Sequence, residues 1–183
     1  MVKILAFDVG IKNLSYCLIE DESILDWDLI NLVEDGKTKK NDLHELSSIL
    51  FHVLKEKFEH IDIDHIIIEN QPVLKNPTMK SIQMLIYSYF AYLKHIEQRD
   101  TVGINFIGAS TKVKLAEKIL KEKGIEMDKC SSKYQYNKKI SIKCTYELLL
   151  NTNEELHDFF ISHKKKDDLA DCYLLALVKF YKT

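Results

Sequence analysis

Four acidic residues have the types and spacing that metal-dependent chemistry needs: Asp8, Glu69, Asp168 and Asp171. Asp8 interrupts an apolar N-terminal run, where an ionised carboxylate needs a partner because an unpaired buried charge is very costly. Glu69 follows the apolar residues 66–68, and Asp168 and Asp171 are three apart, hence on one face of a helix. Together these acids could hold two divalent cations, one activating water and one stabilising a leaving oxygen of a phosphodiester.

Each acid taken alone also has an ordinary structural explanation. Asp8 is suited to an Asx turn into the glycine that follows, and Glu69 to a salt bridge at a strand end. Asp167 and Asp168 suit the N-cap and first turn of a helix. Only the combination of all these positions favours a metal site, and either Asp167 or Asp168 could be the ligand, with the three-residue spacing to Asp171 favouring Asp168.

The elements that must position these acids alternate between strands and helices. Short alternating or β-branched runs predict strands at 4–9, 15–20, 24–31, 66–68 and 102–107. Apolar periodicity predicts helices at 42–58, 78–98, 112–123, 138–150, 154–162 and 167–181. We expect an α/β fold in one domain, 1–183, with a mixed five-stranded sheet, three antiparallel strands and then parallel strands, flanked by helices.

Two segments of this pattern have further implications. The helix at 78–98 is apolar around nearly its whole circumference, so its outer face needs either a neighbouring helix or a second subunit. Residues 125–137 have little periodicity, which predicts an exposed loop carrying Tyr134 and Tyr136. Tyrosines flanked by lysines can stack on unpaired bases, although ordinary packing explains them as well.

The composition is that of an ordinary globular protein. Hydrophobic residues make up 46% and charged residues 30% of the 183 residues, and no apolar run reaches the ~20 residues of a membrane span. The four cysteines are scattered without zinc-ligand spacing, which indicates reduced thiols. These features predict an intracellular protein without a membrane partner.

Positive charge is concentrated in one part of the chain. The net charge is -2, but residues 110–144 contain ten lysines against four acids, and Arg99 is the only arginine. Lysine binds phosphate as a point charge and lacks the planar fork that reads guanine edges. The pattern therefore predicts a protein that recognises the nucleic-acid backbone and its shape rather than base sequence.

Three motifs together resemble the RuvC-like Holliday junction resolvases, most closely their poxvirus and mitochondrial branch, within the ribonuclease H-like fold. They are D-V-G-I-K-N-L-S at Asp8, I-I-I-E-N-Q-P at Glu69 and K-K-D-D-L-A-D-C at Asp168 and Asp171. The resemblance implies a homodimeric endonuclease with two Mg²⁺ per active site, Mn²⁺ substituting, that makes paired nicks across four-way DNA junctions. It implies no nucleotide cofactor, and a cytoplasmic location if the protein is viral.

The resemblance also implies lysines that contact the scissile phosphate or the junction backbone. The matching positions are Lys114 in S-T-K-V-K-L and Lys138 or Lys139 in Y-N-K-K-I-S, with Lys112 and Lys143 as substitutes. An ordinary solvated helix face explains any single one of these lysines equally well.

Three other functions fit parts of the same pattern. One is a related nuclease that cuts RNA:DNA hybrids or other branched DNA, since a lysine-rich surface does not distinguish the sugar. Another is a junction-binding module without catalysis, which the complete set of acids disfavours. The third is an actin-like ATPase, because D-V-G-I-K-N also resembles the first phosphate loop of those proteins. One domain of this size, however, lacks the second half of such a site.

Overall fold

The computed structural model describes residues 1–33, 42–74, 76–96, 103–128, 130–150 and 152–181, in which it has five strands and six helices. The strands are β1 (Lys3–Asp8), β2 (Leu14–Glu20), β3 (Ser23–Ile30), β4 (His65–Glu69) and β5 (Gly103–Ile107). The helices are α1 (Leu43–Phe58), α2 (Pro77–Ile96), α3 (Ala109–Glu122), α4 (Lys133–Leu149), α5 (Glu154–Ser162) and α6 (Lys166–Leu177).

The five strands form one mixed sheet in the order β3-β2-β1-β4-β5. Strands β1, β2 and β3 are antiparallel neighbours, whereas β4 is parallel to β1 and β5 is parallel to β4. Asp21 and Glu22 join β2 to β3 with φ values of 46° and 74°, the left-handed backbone that suits a tight hairpin. The predicted fold class, three antiparallel strands followed by parallel strands, is confirmed.

Alternate residues of β1 enter two different hydrophobic cores, as the pleat of a strand requires. Ile4 and Ala6 belong to the core under α3 to α6, and Leu5 and Phe7 to the core under α1 and α2. All four side chains are fully buried. Position 8 therefore points to the same face as Ile4 and Ala6, where α6 packs.

The helix boundaries follow the sequence pattern, with differences in α3, α4 and α6. Asp42 caps α1, with its side chain accepting a hydrogen bond from the His44 amide at 3.1 Å. Helix α3 begins at Ala109, three residues earlier than predicted, and α6 ends at Leu177, four residues earlier. Part of the predicted helix 78–98 and of the predicted strand 102–107 lies outside the described residues.

The prediction of a loop over 125–137 is wrong for its last five residues, which form the start of α4. The Ser132 side chain accepts a hydrogen bond from the Gln135 amide at 3.2 Å and so caps the helix. Tyr136 lies in the first turn, where its hydroxyl donates to Glu117 at 3.2 Å. Tyr134 is 68% exposed and can reach a partner from the helix surface.

Helix α2 is only partly covered by its neighbour. Its Tyr89 ring stacks against Phe51 of α1 with centroids 5.9 Å apart, so a neighbouring helix accounts for part of the apolar surface. Met84, Tyr92 and Ile96 remain exposed. A second subunit over these residues stays a prediction.

Within the described residues, none of the helices combines the length and the apolar character that crossing a bilayer requires. Cys17, Cys144 and Cys172 are buried and Cys130 is partly exposed, and all four are free thiols. Cys17 and Cys172 are core residues.

Candidate active site

Asp8 and Glu69 are the last residues of two adjacent parallel strands, β1 and β4. Phe7 pairs with Ile68 in the register, so the next residue of each strand lies beside the other. Side chains two positions apart share a face, and this rule places both carboxylates on the face covered by α6. Ligands of open α/β sheets gather at this end of parallel strands.

Two side chains of the antiparallel strands fix the start of α6 against the sheet. The Ser15 hydroxyl donates to the Asp168 backbone carbonyl at 2.8 Å, and the Trp27 indole N–H donates to the Leu169 carbonyl at 3.0 Å. Ser15 is the register partner of Asp8. The same contacts therefore set the distance from the acids of α6 to the acid of β1.

Lys112 lies at the centre of the site. Its Nζ is 2.6 Å from Asp171 Oδ2, 3.2 Å from Glu69 Oε1 and 3.7 Å from Asp8 Oδ2. The lysine side chain is only 6% exposed. One buried ammonium thus joins three carboxylates from β1, β4 and α6, and the structure brings these predicted residues together.

The helical register of α3 explains why Lys112 is the lysine in the site. Lys112 shares the buried face of the helix with Leu115, Ala116, Ile119 and Leu120, at the i, i+3, i+4, i+7 spacing of a core-facing stripe. Lys114 is exposed, because a residue two positions after Lys112 lies on the opposite side of the helix. The structure does not bring Lys114, the preferred match from the sequence, to the carboxylates.

Burial and mutual charge set the ionisation of the three acids. Burial raises the pKa of Asp8 well above its ordinary value, and the Lys112 ammonium only partly offsets this. Burial also raises the pKa of Asp171, against the effect of Lys112 and the nearby Ser141 hydroxyl. For Glu69 burial is outweighed by the interactions with Asp8 and Lys112, so its pKa is lowered.

The same interactions keep Lys112 charged. Burial alone would lower the pKa of this amine, but the carboxylates of Asp8, Asp171 and Glu69 outweigh burial and raise it above its ordinary value. A buried lysine is stable only when it is paired in this way.

The two neighbouring acids at the start of α6 have different surroundings. Asp167 is paired with Lys138 of α4, and although burial opposes ionisation, this bond lowers the pKa of Asp167. Burial and repulsion from Asp167 raise the pKa of Asp168, which lies one turn before Asp171. Asp168 is therefore the better candidate for an additional cation ligand, because Asp167 already neutralises a lysine.

The lysines of α4 lie around the site rather than in it. Lys138 is 44% exposed in its side chain and its Nζ also lies 5.0 Å from the centre of the Tyr134 ring. Lys139 is exposed, and Lys143 pairs with Glu147 of the same helix at 2.7 Å. None of the three is among the ion-pair partners of Asp8, Glu69 or Asp171 in the described part of the chain.

Polar side chains after β4 hold Glu69 from the other side. The Gln71 side-chain amide donates to Glu69 Oε2 at 3.2 Å. The Gln71 backbone amide donates to Gln83 of α2 at 2.8 Å, and Lys80 Nζ donates to both Gln83 and Asn70. The sequence motif following Glu69 is thus a support that orients this carboxylate.

The donor set fits a hard divalent cation. Carboxylate oxygens are the ligands that Mg²⁺ and Mn²⁺ prefer, and three of them already surround a positive charge. In their present arrangement no three or more Asp, Glu, His or Cys side chains of the described residues form a metal site. At this site the carboxylates enclose the Lys112 ammonium.

Comparison with known sequences is limited. No protein-family model matches the chain. An uncharacterized protein, L451, of Acanthamoeba polyphaga mimivirus is 34% identical over 128 residues, which cover 66% of this chain. The match spans only 30% of the length of that viral relative.

Solved structures identify the fold. The yeast mitochondrial Holliday junction resolvase Ydc2 matches with a TM-score of 0.67 at 23% identity, over 97% of this chain and 78% of its own. The fowlpox virus resolvase, solved with its substrate Holliday junction DNA, matches with a TM-score of 0.59 at 14% identity over the full length of both chains. This chain has the Holliday junction resolvase fold.

A bacterial protein extends the same comparison. RuvC of Thermus thermophilus shares the resolvase fold with a TM-score of 0.61 at 11% identity, over 97% of this chain and 92% of its own. The resolvase fold therefore includes nearly the whole chain, and the strands and helices that carry Asp8, Glu69, Lys112 and Asp171 belong to it.

Proposed function

We propose that this protein is a divalent-cation-dependent DNA endonuclease that resolves four-way junctions by paired nicks. The observation that carries the proposal is the meeting of Asp8, Glu69 and Asp171 around one buried ammonium, at the carboxyl ends of two parallel strands. A fold by itself hosts many activities. The proposal is also supported by the solved proteins that share this fold, which are Holliday junction resolvases.

The proposed roles follow from the contacts of each side chain. Asp8, Glu69 and Asp171, with Asp168 one turn away, would hold Mg²⁺ or Mn²⁺, two ions in the complete site. A metal ion bound there supplies an activated water and stabilises the leaving oxygen of a phosphodiester. Lys112 would neutralise a phosphate oxygen in a site largely closed to water, where a charge acts strongly.

The surface beside the site suits a nucleic-acid backbone. Exposed lysines lie on α3, the helix that carries Lys112, and on α4, among them Lys114 and Lys139. Asp167 holds Lys138 at the rim of the site, next to the exposed ring of Tyr134. Point charges of this kind position a duplex without reading its sequence.

The substrate and the assembly are part of the same proposal. The fowlpox and Thermus thermophilus proteins of this fold were solved with Holliday junction DNA, which favours a junction over a linear duplex. We propose a homodimer formed by single domains of 1–183, so that two sites cut opposite strands. The mimivirus relative shows that a related sequence occurs in a virus, and we propose a role in viral DNA recombination or concatemer resolution, in the cytoplasm.

A nicking assay with purified protein tests the proposal. Labelled four-way junction, flap, linear duplex and RNA:DNA hybrid are incubated with Mg²⁺, Mn²⁺ or chelator, and the products are sized and tested for a 5′-phosphate. Glu69→Gln is compared with Glu155→Gln, a matched change at an exposed position of α5. The comparison separates loss of the site from a general effect of removing one negative charge.

We expect Mg²⁺-dependent nicks in the junction and little cleavage of the linear duplex. Glu69→Gln should bind the junction but cut it at least ~100-fold more slowly, since even residues that only support metal ligands contribute about 10- to 100-fold. Full activity of Glu69→Gln, or activity in chelator, would refute the proposal. Preferential cleavage of the hybrid would replace the junction by an RNA:DNA substrate.

A further inference from the structure

The position of Lys112 has a consequence for cation binding. Its ammonium lies 2.6 to 3.7 Å from one oxygen of each of three carboxylates, and its side chain is almost fully enclosed. Three carboxyl groups share this one ammonium. The cation-free site is therefore assembled around a positive charge that belongs to the protein.

A divalent cation and this ammonium compete for the same oxygens. Mg²⁺ binds carboxylate oxygens at ~2.0–2.1 Å, so an ion held by Asp8, Glu69 and Asp171 would lie within a few ångströms of Lys112 Nζ in its present place. Two positive centres at that separation repel strongly in a buried site. The ion and the ammonium cannot both keep the contacts that the ammonium has here.

The lysine side chain is flexible, and it lies close to the exposed start of its helix. Its stem has four rotatable methylene groups, and Lys112 lies one turn after the exposed residues Gly108, Ala109 and Ser110 at the start of α3. A change of side-chain rotamer toward that end of the helix carries the ammonium out of the carboxylate cluster without unfolding α3.

We propose that Lys112 is an internal counter-ion that keeps the three carboxylates together in the cation-free protein and is displaced when a divalent cation binds. This inference rests on the proposed metal site. It makes Lys112 a positioning residue that lowers cation affinity before substrate is bound, because every binding event must first break its three ion pairs. The displaced ammonium is then available to an incoming phosphate.

Calorimetric titration of Mn²⁺ into DNA-free protein tests the competition. Lys112→Met keeps the apolar stem and removes the charge, and Lys121→Met is the matched control, an exposed lysine nine residues further along the same helix. We expect Lys112→Met to bind Mn²⁺ at least ~10-fold more tightly than the wild type and Lys121→Met to bind like the wild type. Equal or weaker binding by Lys112→Met overturns the proposal.

A second measurement uses the wild-type protein and does not depend on a folded variant. Lysines are acetylated with a water-soluble reagent with and without saturating Mn²⁺, and the modified positions are quantified by mass spectrometry. We expect Lys112 to be protected without the ion and several-fold more reactive with it, while Lys121 reacts equally in both. Unchanged protection of Lys112 at saturating Mn²⁺ overturns the proposal.

These readouts are independent of nuclease activity. If the wild type nicks junctions with Mn²⁺ but Lys112 stays protected, the counter-ion role fails and the proposed function stands. If Lys112 responds to Mn²⁺ but no junction is cut, the proposed function fails and the counter-ion role stands. Absence of any Mn²⁺ binding refutes both.

Discussion

Replacing Lys112 by Met should destabilise the cation-free protein strongly. The change leaves Asp8, Glu69 and Asp171 close together without the ammonium that joins them. Removing one partner of a buried ionic cluster costs about 3–5 kcal/mol, because the remaining charges stay buried and uncompensated. A domain of this size loses roughly 2–4 °C in melting temperature per kcal/mol, so we expect a decrease of about 6–20 °C.

The pH dependence of this loss has a defined sign. Burial has the largest effect on the pKa of Asp8 and of Asp171, and the Lys112 charge, which lowers the pKa of both acids, has the second largest. Without Lys112, both acids therefore have higher pKa values in the folded state. An acid whose folded-state pKa is raised contributes its stability below the unfolded pKa of about 4 and loses it as the pH rises. The difference between variant and wild type should be small near pH 4 and grow toward pH 7.

Urea unfolding followed by circular dichroism across this pH range, in chelator, measures the effect. Lys121→Met serves as the control and should stay within about 0.5 kcal/mol of the wild type, as exposed substitutions do. Addition of Mg²⁺ should restore part of the stability of Lys112→Met, because a ligand that binds only the folded state stabilises it. A loss below 1 kcal/mol at pH 7, or a loss that is independent of pH, would contradict the ion cluster described above.

Three further changes test other parts of the structure. Gly10→Ala should destabilise by about 1–3 kcal/mol in urea unfolding, because a Cβ there would lie 2.3 Å from the Asn13 carbonyl oxygen; wild-type stability would show that this turn can relax. Trp27→Phe removes the donor to the Leu169 carbonyl and should cost about 1–3 kcal/mol and lower the nicking rate, whereas unchanged stability and rate would show that this bond does not hold α6. Burial lowers the pKa of His65, so the neutral form is favoured in the folded state. The free energy of unfolding should therefore fall as the pH drops below about 6.5. His65→Gln should lack this contribution to the pH dependence of stability between about pH 7.5 and 5.5.

The proximity of Asp8 and Glu69 could be predicted because strand geometry alone brings them together. Asp8 and Glu69 end apolar runs, and residues that end neighbouring parallel strands meet at one edge of the sheet. The three-residue spacing of Asp168 and Asp171 requires only that they lie on a helix. What the sequence could not provide is the packing of α6 on the same face as Asp8, which depends on the bond from Ser15 to the backbone of this helix.

The central lysine was predicted only as a substitute for Lys114, although a signal for its buried position was present. The sequence pattern predicts a helix that begins at residue 112, which places Lys112 at the helix end. Lys112 precedes Leu115 and Ala116 by three and four residues, which is the spacing of the buried face. Lys114 matches the family motif, but it lies on the exposed side of the helix. The start of α4 was missed for a different reason, since its first turn is polar and only the capping residue Ser132 marks it.

The central claim is tested most directly by two acids one turn apart on α6. Asp171 contacts Lys112 within the carboxylate cluster, whereas Asp167, four residues earlier, pairs with Lys138 at its rim. Single-turnover nicking of a four-way junction in Mg²⁺ should be at least ~100-fold slower in Asp171→Asn and less than ~10-fold slower in Asp167→Asn. Equal rates in the two variants, or wild-type activity of Asp171→Asn, would contradict the assignment of these carboxylates as the catalytic site.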